Sequence, residues 1–307
     1  MNTDTLDPAI LAGQFDTLQG TWSTGLKVGV EVDSEEKEYF LKVVEQERFV
    51  EMSRAEYEGQ KALATYIPDN VCHPVAWGYF ENDTSKSFFV TEFRYLRARS
   101  PPPSELLAIL KILHQSSISP TGLFGFHVTT YYGPPPMIND WTDNWEEYFT
   151  RLFRANMTYA QQERGKDSEL EETGGRIIKP TLCHGDLWDG NIQIDVETKQ
   201  PILFDSCCFY GHNEMDLQCM GDPRYALSME FIDMYKNEVG ASEPQEDFYD
   251  RHDLYAIRNN ICTAGMWPQW APLLQTAREA MRRLLAKHPQ GLDGFQADQA
   301  HGTEQIL

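Results

Sequence analysis

The stretch that most constrains this 307-residue chain runs Leu182-Cys183-His184-Gly185-Asp186-Leu187-Trp188-Asp189-Gly190-Asn191, with Ile202-Leu203-Phe204-Asp205 a short distance beyond. Three side chains stand out: Asp186, Asn191 five residues on, and Asp205 closing an apolar run. A tight polar loop can bring Asp186 and Asn191 to one point, and a strand can then deliver Asp205 beside them. Gly185 and Gly190 permit the backbone angles such a loop demands. A His-Gly-Asp triplet alone says little, because all three are ordinary turn residues. An Asn at this offset and an Asp at the end of an apolar strand make the set specific.

A carboxylate beside an amide oxygen and a second carboxylate suits phosphoryl transfer from ATP to a hydroxyl. Asp186 would orient and deprotonate the hydroxyl, while Asn191 and Asp205 would hold Mg²⁺ on the phosphates. Such a site also needs a cation. Lys42 stands in Tyr39-Phe40-Leu41-Lys42-Val43-Val44, flanked by large apolar groups, and a buried Lys is costly unless paired. Either it snorkels from an edge strand, or it grips the α- and β-phosphates and is held by a helix Glu. At about 100° per residue, Ala55, Gly59, Ala62, Leu63 and Tyr66 share one face of a helix. Glu56 lies at the edge of that face and Glu58 points away, so Glu56 is the candidate. Its rival role is a capping box with Ser53.

Around these residues the chain reads as two parts. Residues 1–14 suggest a short helix or arm. Leu26, Val28, Val30 and Val32 alternate with other residues, as in a half-buried strand. Asp33–Glu38 reads as a polar turn leading to the Tyr39–Val44 strand. Gly20-Thr21-Trp22-Ser23-Thr24-Gly25 could cover phosphates with backbone N–H groups or be a plain hairpin turn. Strands over Val75–Phe80 and Ser87–Phe93 complete a small, largely antiparallel lobe, residues 1–95. Its last strand runs into a hinge at Glu92 and Phe93, whose backbone groups could meet the adenine edge. Beyond the Pro101-Pro102-Pro103 connection the periodicity turns helical: 104–116, an aromatic-rich segment from Trp141 to Phe153, 223–238 and 271–287. Residues 96–288 form this larger lobe, and 289–307 a flexible tail. The expected fold class is α+β: a small antiparallel β-sheet lobe and a larger, mainly α-helical lobe.

Composition narrows the partners. With 26 Lys and Arg against 47 Asp and Glu, the net charge is −21, which disfavours nucleic acid and anionic membrane surfaces. ATP is compatible, since Mg²⁺ and one or two cations offset its charge locally. No apolar run approaches a bilayer span, and the N-terminus lacks signal-peptide features. The six cysteines show no CxxC pair or zinc spacing, so reduced thiols and a cytoplasmic location are expected.

With Lys42, Glu56, the His184–Asn191 loop and Asp205 in this order, the chain resembles the protein-kinase-like phosphotransferases. Within them it is most similar to the fructosamine kinase (ketosamine-3-kinase) family, relatives of aminoglycoside phosphotransferases. The finer likeness lies in His184–Asn191 with its Trp188 and Gly190, in Phe209-Tyr210-Gly211-His212-Asn213-Glu214-Met215-Asp216-Leu217, and in Phe124-Gly125-Phe126 with Asn139-Asp140-Trp141 and Trp145. The resemblance implies a two-lobed kinase-like fold, Mg-ATP, and phosphorylation of O3 on a ketosamine, free or on a glycated protein. It implies Asp186 as base, Asn191 and Asp205 on Mg²⁺, and Lys42 on the phosphates, oriented by Glu56. Trp188 would wall the sugar pocket or support the loop from inside. Tyr210 and His212 join the substrate side, and Glu214 and Asp216 either do so or start a helix. Asp205-Ser206-Cys207 departs from the family's usual Asp-Pro-Ala. Two alternatives stay open: a kinase of this fold for an aminoglycoside or amino alcohol, and a non-catalytic binding protein.

Overall fold

The computed structural model describes residues 15–19, 23–32, 35–46, 49–164 and 178–289. The expected arm over residues 1–14, the Gly20–Trp22 part of the glycine turn, Asp33-Ser34 and residues 290–307 of the tail lie outside the described residues.

The first lobe is a five-stranded antiparallel sheet in the order β1-β2-β3-β5-β4. Its strands are β1 (Phe15–Gln19), β2 (Thr24–Val32), β3 (Glu35–Val44), β4 (Pro74–Phe80) and β5 (Asp83–Glu92). Alternation along each strand sorts the side chains between two faces. Val28, Val30, Leu41, Phe88 and Val90 build an apolar cluster on one face. Lys42, paired in register with Gly25 and Phe89, therefore emerges on the other. The Glu35–Glu38 segment, expected as a turn, is strand: its charged side chains project outward while the ladder continues through Val30↔Lys37 and Val32↔Glu35. A cross-strand ion pair, Lys27 to Glu38 at 2.6 Å, replaces the apolar signal that was missing there.

Helix α1 (Met52–Tyr66) lies against this sheet and buries Ser53, Ala55, Gly59, Gln60 and Leu63. Gly59 is the point of closest approach to the second lobe. A Cβ there would sit 2.8 Å from Ser206 Oγ, so Gly59 lets the helix approach the segment that follows Asp205.

The second lobe contains α2 (Pro103–Ser116), α3 (Trp145–Arg164), α4 (Met229–Glu238), α5 (Phe248–Met266) and α6 (Leu273–Lys287). Two small ribbons frame the polar loop. Strands β7 (Thr181–Cys183) and β10 (Phe209–Gly211) pair with each other, while β6 (Leu96–Arg97), β8 (Ile192–Asp195) and β9 (Pro201–Leu203) form a three-stranded sheet. The loop therefore leaves β7 and enters β8, and Asp205 follows β9. Helix α4 begins at Met229 rather than near 223, because Asp222 draws the backbone N–H and guanidinium of Arg224 into a turn. Helix α5 has no counterpart among the expected elements. It buries Arg251, His252, Tyr255, Arg258, Asn259 and Asn260 beside Ile257 and Ile261, and its second half, buried at every position over residues 257–265, carries no single apolar stripe. All six cysteines are free and buried. Among the described residues, no helix is long and apolar enough to cross a membrane.

A buried polar network supports the loop. Asp216, fully buried in the turn Asn213–Leu217, accepts the N–H groups of His184 and Gly185, each at 2.8 Å. His114 Nε2 lies 3.0 Å from the same carboxylate, and Tyr235 closes the other side of that ring at 2.7 Å. Gln218 donates to the Gly185 carbonyl at 2.8 Å. Gly185 has φ of +85°, and a Cβ there would collide with the Cys207 carbonyl. Next to this, Glu214 takes two hydrogen bonds from Arg251 at 2.7 and 2.9 Å, and His212 bridges Tyr255 and Ser242 at 2.6 and 2.8 Å.

Two stability effects follow. Removing Arg251 leaves the Glu214 carboxylate buried without its cation. R251M should therefore lower unfolding free energy by about 3–5 kcal/mol in urea titration, and E214L/R251M should lose less than that. Burial pushes His212 down to about 4, so the unfolded chain binds the extra proton between about pH 6.5 and pH 4. Stability is full above that window and falls as pH drops through it, by about 1.4 kcal/mol per unit for one histidine. H212N should flatten that part of the slope.

Candidate active site

A cleft of about 1240 Å³ separates the lobes, and both contribute to its lining. From above come Lys42 on β3 and Glu56 on α1; from below come Asp186, Asn191 and Asp205. Lys42 Nζ is 2.6 Å from Glu56 Oε2 and 2.7 Å from Asp205 Oδ1. Burial works against the ammonium charge, but the carboxylates of Asp205 and Glu56 outweigh it and hold the Lys42 pKa above its ordinary value. This double pairing excludes the snorkelling reading. The capping-box reading fails as well: α1 starts after Glu51 without a side-chain cap, and Ser53 Oγ instead meets Ser87 Oγ at 2.8 Å.

Asn191 ties the lower group together. Its Nδ2 donates to the Asp186 carbonyl at 2.9 Å and to Asp186 Oδ2 at 3.0 Å. Its amide oxygen is therefore turned away from those contacts. Burial, reinforced by the charge of Asp205, pushes the Asp186 carboxyl up to about 7, against the Asn191 hydrogen bond. Asp205 moves the other way, held below the usual carboxylate range by Lys42. Two nearby acids thus have opposed proton affinities, which is how acid–base roles are divided. Asp205 adopts φ of +56°, a left-handed backbone that is uncommon for a residue with a Cβ and is concentrated at functional sites. His184 is fully buried and kept neutral by burial. Its Nδ1 accepts the Asp186 N–H at 3.3 Å, so Nε2 donates to the Phe204 carbonyl at 3.1 Å. One ring thus spans the two segments that carry Asp186 and Asp205.

The other sequence-derived positions divide into two groups. Glu92 and Phe93 line the cleft where β5 ends. Their N–H groups are already donated, to His73 O at 3.0 Å and Glu38 O at 3.2 Å, and the Glu92 carbonyl accepts the Thr91 hydroxyl at 2.9 Å. Trp188 also lines the cleft and is 36% exposed, its ring 5.7 Å from that of Tyr225; it is a wall, not an internal support. Tyr210, His212, Glu214 and Asp216 are all buried and absent from the cleft lining. Tyr210 stacks on Trp141 at 6.2 Å, and the other three belong to the network beneath the loop. The family resemblance suggested ligand contact for them, whereas Asp216 accepts backbone N–H groups, Glu214 pairs with Arg251, and His212 bonds Tyr255 and Ser242.

Sequence reading missed most of the opposite wall: Tyr131, Tyr132, Arg224, Tyr225, Trp267 and Trp270. The signal available was aromatic pairs beside Pro or Gly, as in Tyr131-Tyr132-Gly133-Pro134 and Trp267-Pro268-Gln269-Trp270. Asn191 and Asp205 are the residues suited to a hard divalent cation, since an amide oxygen and a carboxylate are its preferred donors.

Comparison with known proteins agrees with this geometry. The family model described as Fructosamine kinase matches residues 22–287. A rice (Oryza sativa subsp. indica) protein-ribulosamine 3-kinase, chloroplastic, is 30% identical over 221 residues, covering 67% of this chain and 61% of the rice protein. The chain thus spans about three fifths of that relative's length. Mouse ketosamine-3-kinase is 36% identical over 149 residues, 45% of this chain and 47% of the mouse protein. A solved structure from Haemophilus somnus 129PT, assigned as a fructosamine-3-kinase, superposes with a TM-score of 0.70 at 17% identity, over 89% of this chain and 91% of that one. That likeness shows a shared protein-kinase-like fold. The match to the family model covers most of the sequence, including every residue that meets in the cleft: the chain belongs to the fructosamine kinase family.

Proposed function

We propose that this chain is an ATP-dependent kinase that phosphorylates the O3 hydroxyl of a ketosamine, a ribulosamine or fructosamine such as a glycated lysine, and so serves protein deglycation. The observation that carries the reading is the convergence of Lys42, Glu56, Asp186, Asn191 and Asp205 in one cleft, with Lys42 within 2.7 Å of two carboxylates. The family match and the names of the rice and mouse relatives support the acceptor class.

In this mechanism the β-lobe end of the cleft takes the nucleotide, with its adenine near Glu92 and Phe93. Lys42 grips the α- and β-phosphates, and Glu56, 2.6 Å from its ammonium, orients it. Asn191 and Asp205 would hold Mg²⁺, which neutralises charge on the phosphates when bound. Asp186 orients the acceptor hydroxyl and takes its proton as the new P–O bond forms and the bond from the γ-phosphorus to the departing ADP breaks. Asn191 keeps the Asp186 carboxylate from rotating away. Trp188 offers a flat apolar face to the sugar ring. With few covalent steps to perform, positioning and charge placement supply most of the rate.

Steady-state assays of ATP turnover against ribulose-lysine, fructose-lysine, an aminoglycoside and choline test the acceptor class; turnover confined to the last two would refute it. D186N should retain ATP binding and lose about 100- to 10,000-fold in kcat, the range of a general base. Unchanged kcat would remove Asp186 from that role. K42M should instead raise the KM for ATP, since it strips the phosphate contact and leaves Glu56 and Asp205 facing each other without a cation.

A further inference from the structure

The far end of the cleft, beyond Trp188, has an aromatic wall interrupted by one cation. Trp188 and Tyr225 lie 5.7 Å apart by ring centroid, and the Arg224 guanidinium carbon is 5.0 Å from the Tyr225 ring and 5.4 Å from that of Trp270. The guanidinium is fixed as well as sandwiched. Its Nε and Nη2 donate to the two oxygens of Asp222 at 2.9 and 2.8 Å, and Nη2 also reaches Asn260 Oδ1 at 2.8 Å. Nη1 has no hydrogen-bond partner among the described residues, although Arg224 lines the cleft. The segment is tied to the loop that bears Asp186 by the Ala226 N–H, donated to Asp189 Oδ1 at 3.2 Å.

These contacts hold a planar cation rigid with two N–H groups unspent, on the side of the cleft that an acceptor must occupy. Asp222 and Asn260 take the forked N–H groups, so Nη1 is left to give single charge-assisted hydrogen bonds, which a carboxylate accepts at little entropic cost to a guanidinium already held in place. Flat aromatic neighbours exclude water from such a contact and strengthen it. A phosphate dianion fits less well, because Asp222 already offsets much of the Arg224 charge.

We propose that Arg224 reads a carboxylate carried by the acceptor, so that the chain prefers a ketosamine with a carboxylate beside its glycated amine to the same ketosamine with that carboxylate amide-capped. This rests on the ketosamine reading above. Two acceptors with the same sugar separate the possibilities: the ribulosamine of glycine and that of glycinamide. With the unaltered chain at saturating Mg-ATP, kcat/KM should be at least roughly tenfold higher for the glycine adduct, as expected for a charge-assisted hydrogen bond. R224Q should bring the ratio of the two close to one, with its urea midpoint recorded to establish that it folds. Equal kcat/KM for the two adducts in the unaltered chain would overturn the proposal while leaving the kinase reading intact, and that comparison needs no variant. A preference that survives in R224Q would overturn it too. Phosphorylation of neither adduct would overturn this inference, and loss of turnover with ribulose-lysine and fructose-lysine as well would take the ketosamine reading with it.

Discussion

Two backbone N–H groups, those of His184 and Gly185, point at a single carboxylate sealed inside the helical lobe. Asp216 accepts both at 2.8 Å and has no exposed surface. Without it the loop would leave two donors buried and unsatisfied, a penalty large enough to move the backbone. With it, the loop has one conformation, Gly185 takes a positive φ under the Cys207 carbonyl, and Asp186 is delivered to the cleft floor. The positions of Asn191 and Asp205 follow, because His184 ties their segments together through Phe204. The chemistry at the surface of the cleft is thus set by a polar interior one layer below it.

That interior also accounts for a charge pattern that the net value hides. The chain carries 21 more acidic than basic charges, yet its most buried side chains include Arg258. This guanidinium donates to Gln218 Oε1 at 2.8 Å and lies 4.8 Å from the Tyr132 ring, with Gln218 in turn holding the Gly185 carbonyl. The buried cations Arg258 and Arg251 sit beside the loop and at Glu214, among buried carboxylates that include Glu214 and Asp216. Overall charge governs encounters at long range; these few buried groups govern what the cleft can hold.

The sequence exposed the parts of the site whose chemistry is local. Asp186 and Asn191 lie in one loop, Asp205 ends an apolar run, and Lys42 is a cation set among large apolar side chains, so composition and spacing point to each directly. Glu56 was legible from helical phase, which separated it from Glu58. The two-lobed α+β fold followed from alternation in the first third and 3.6-residue periodicity beyond it. The misses share a cause. Helix α5 buries Arg251, Arg258, Asn259 and Asn260, and the side-chain partners that make this tolerable lie 36 to 127 positions away. Tyr210, His212, Glu214 and Asp216 stand close to Asp205 in sequence, but which way a side chain faces depends on long-range packing. The Arg224 wall is equally non-local, joining a turn after Asp216 to the end of α5.

The six cysteines have a consequence for handling the protein. Every thiol is free and buried, and burial above all pushes the pKa of Cys262 up to about 11 and that of Cys72 up to about 12. Thiolate is the species that reacts with alkylating reagents and peroxide, so the folded chain presents almost none. Labelling by iodoacetamide or a maleimide will therefore be gated by local opening of the fold. Cys208, whose sulfur lies 3.6 Å from the Gly59 carbonyl of α1, makes its rate of modification a clock for separation of the two halves.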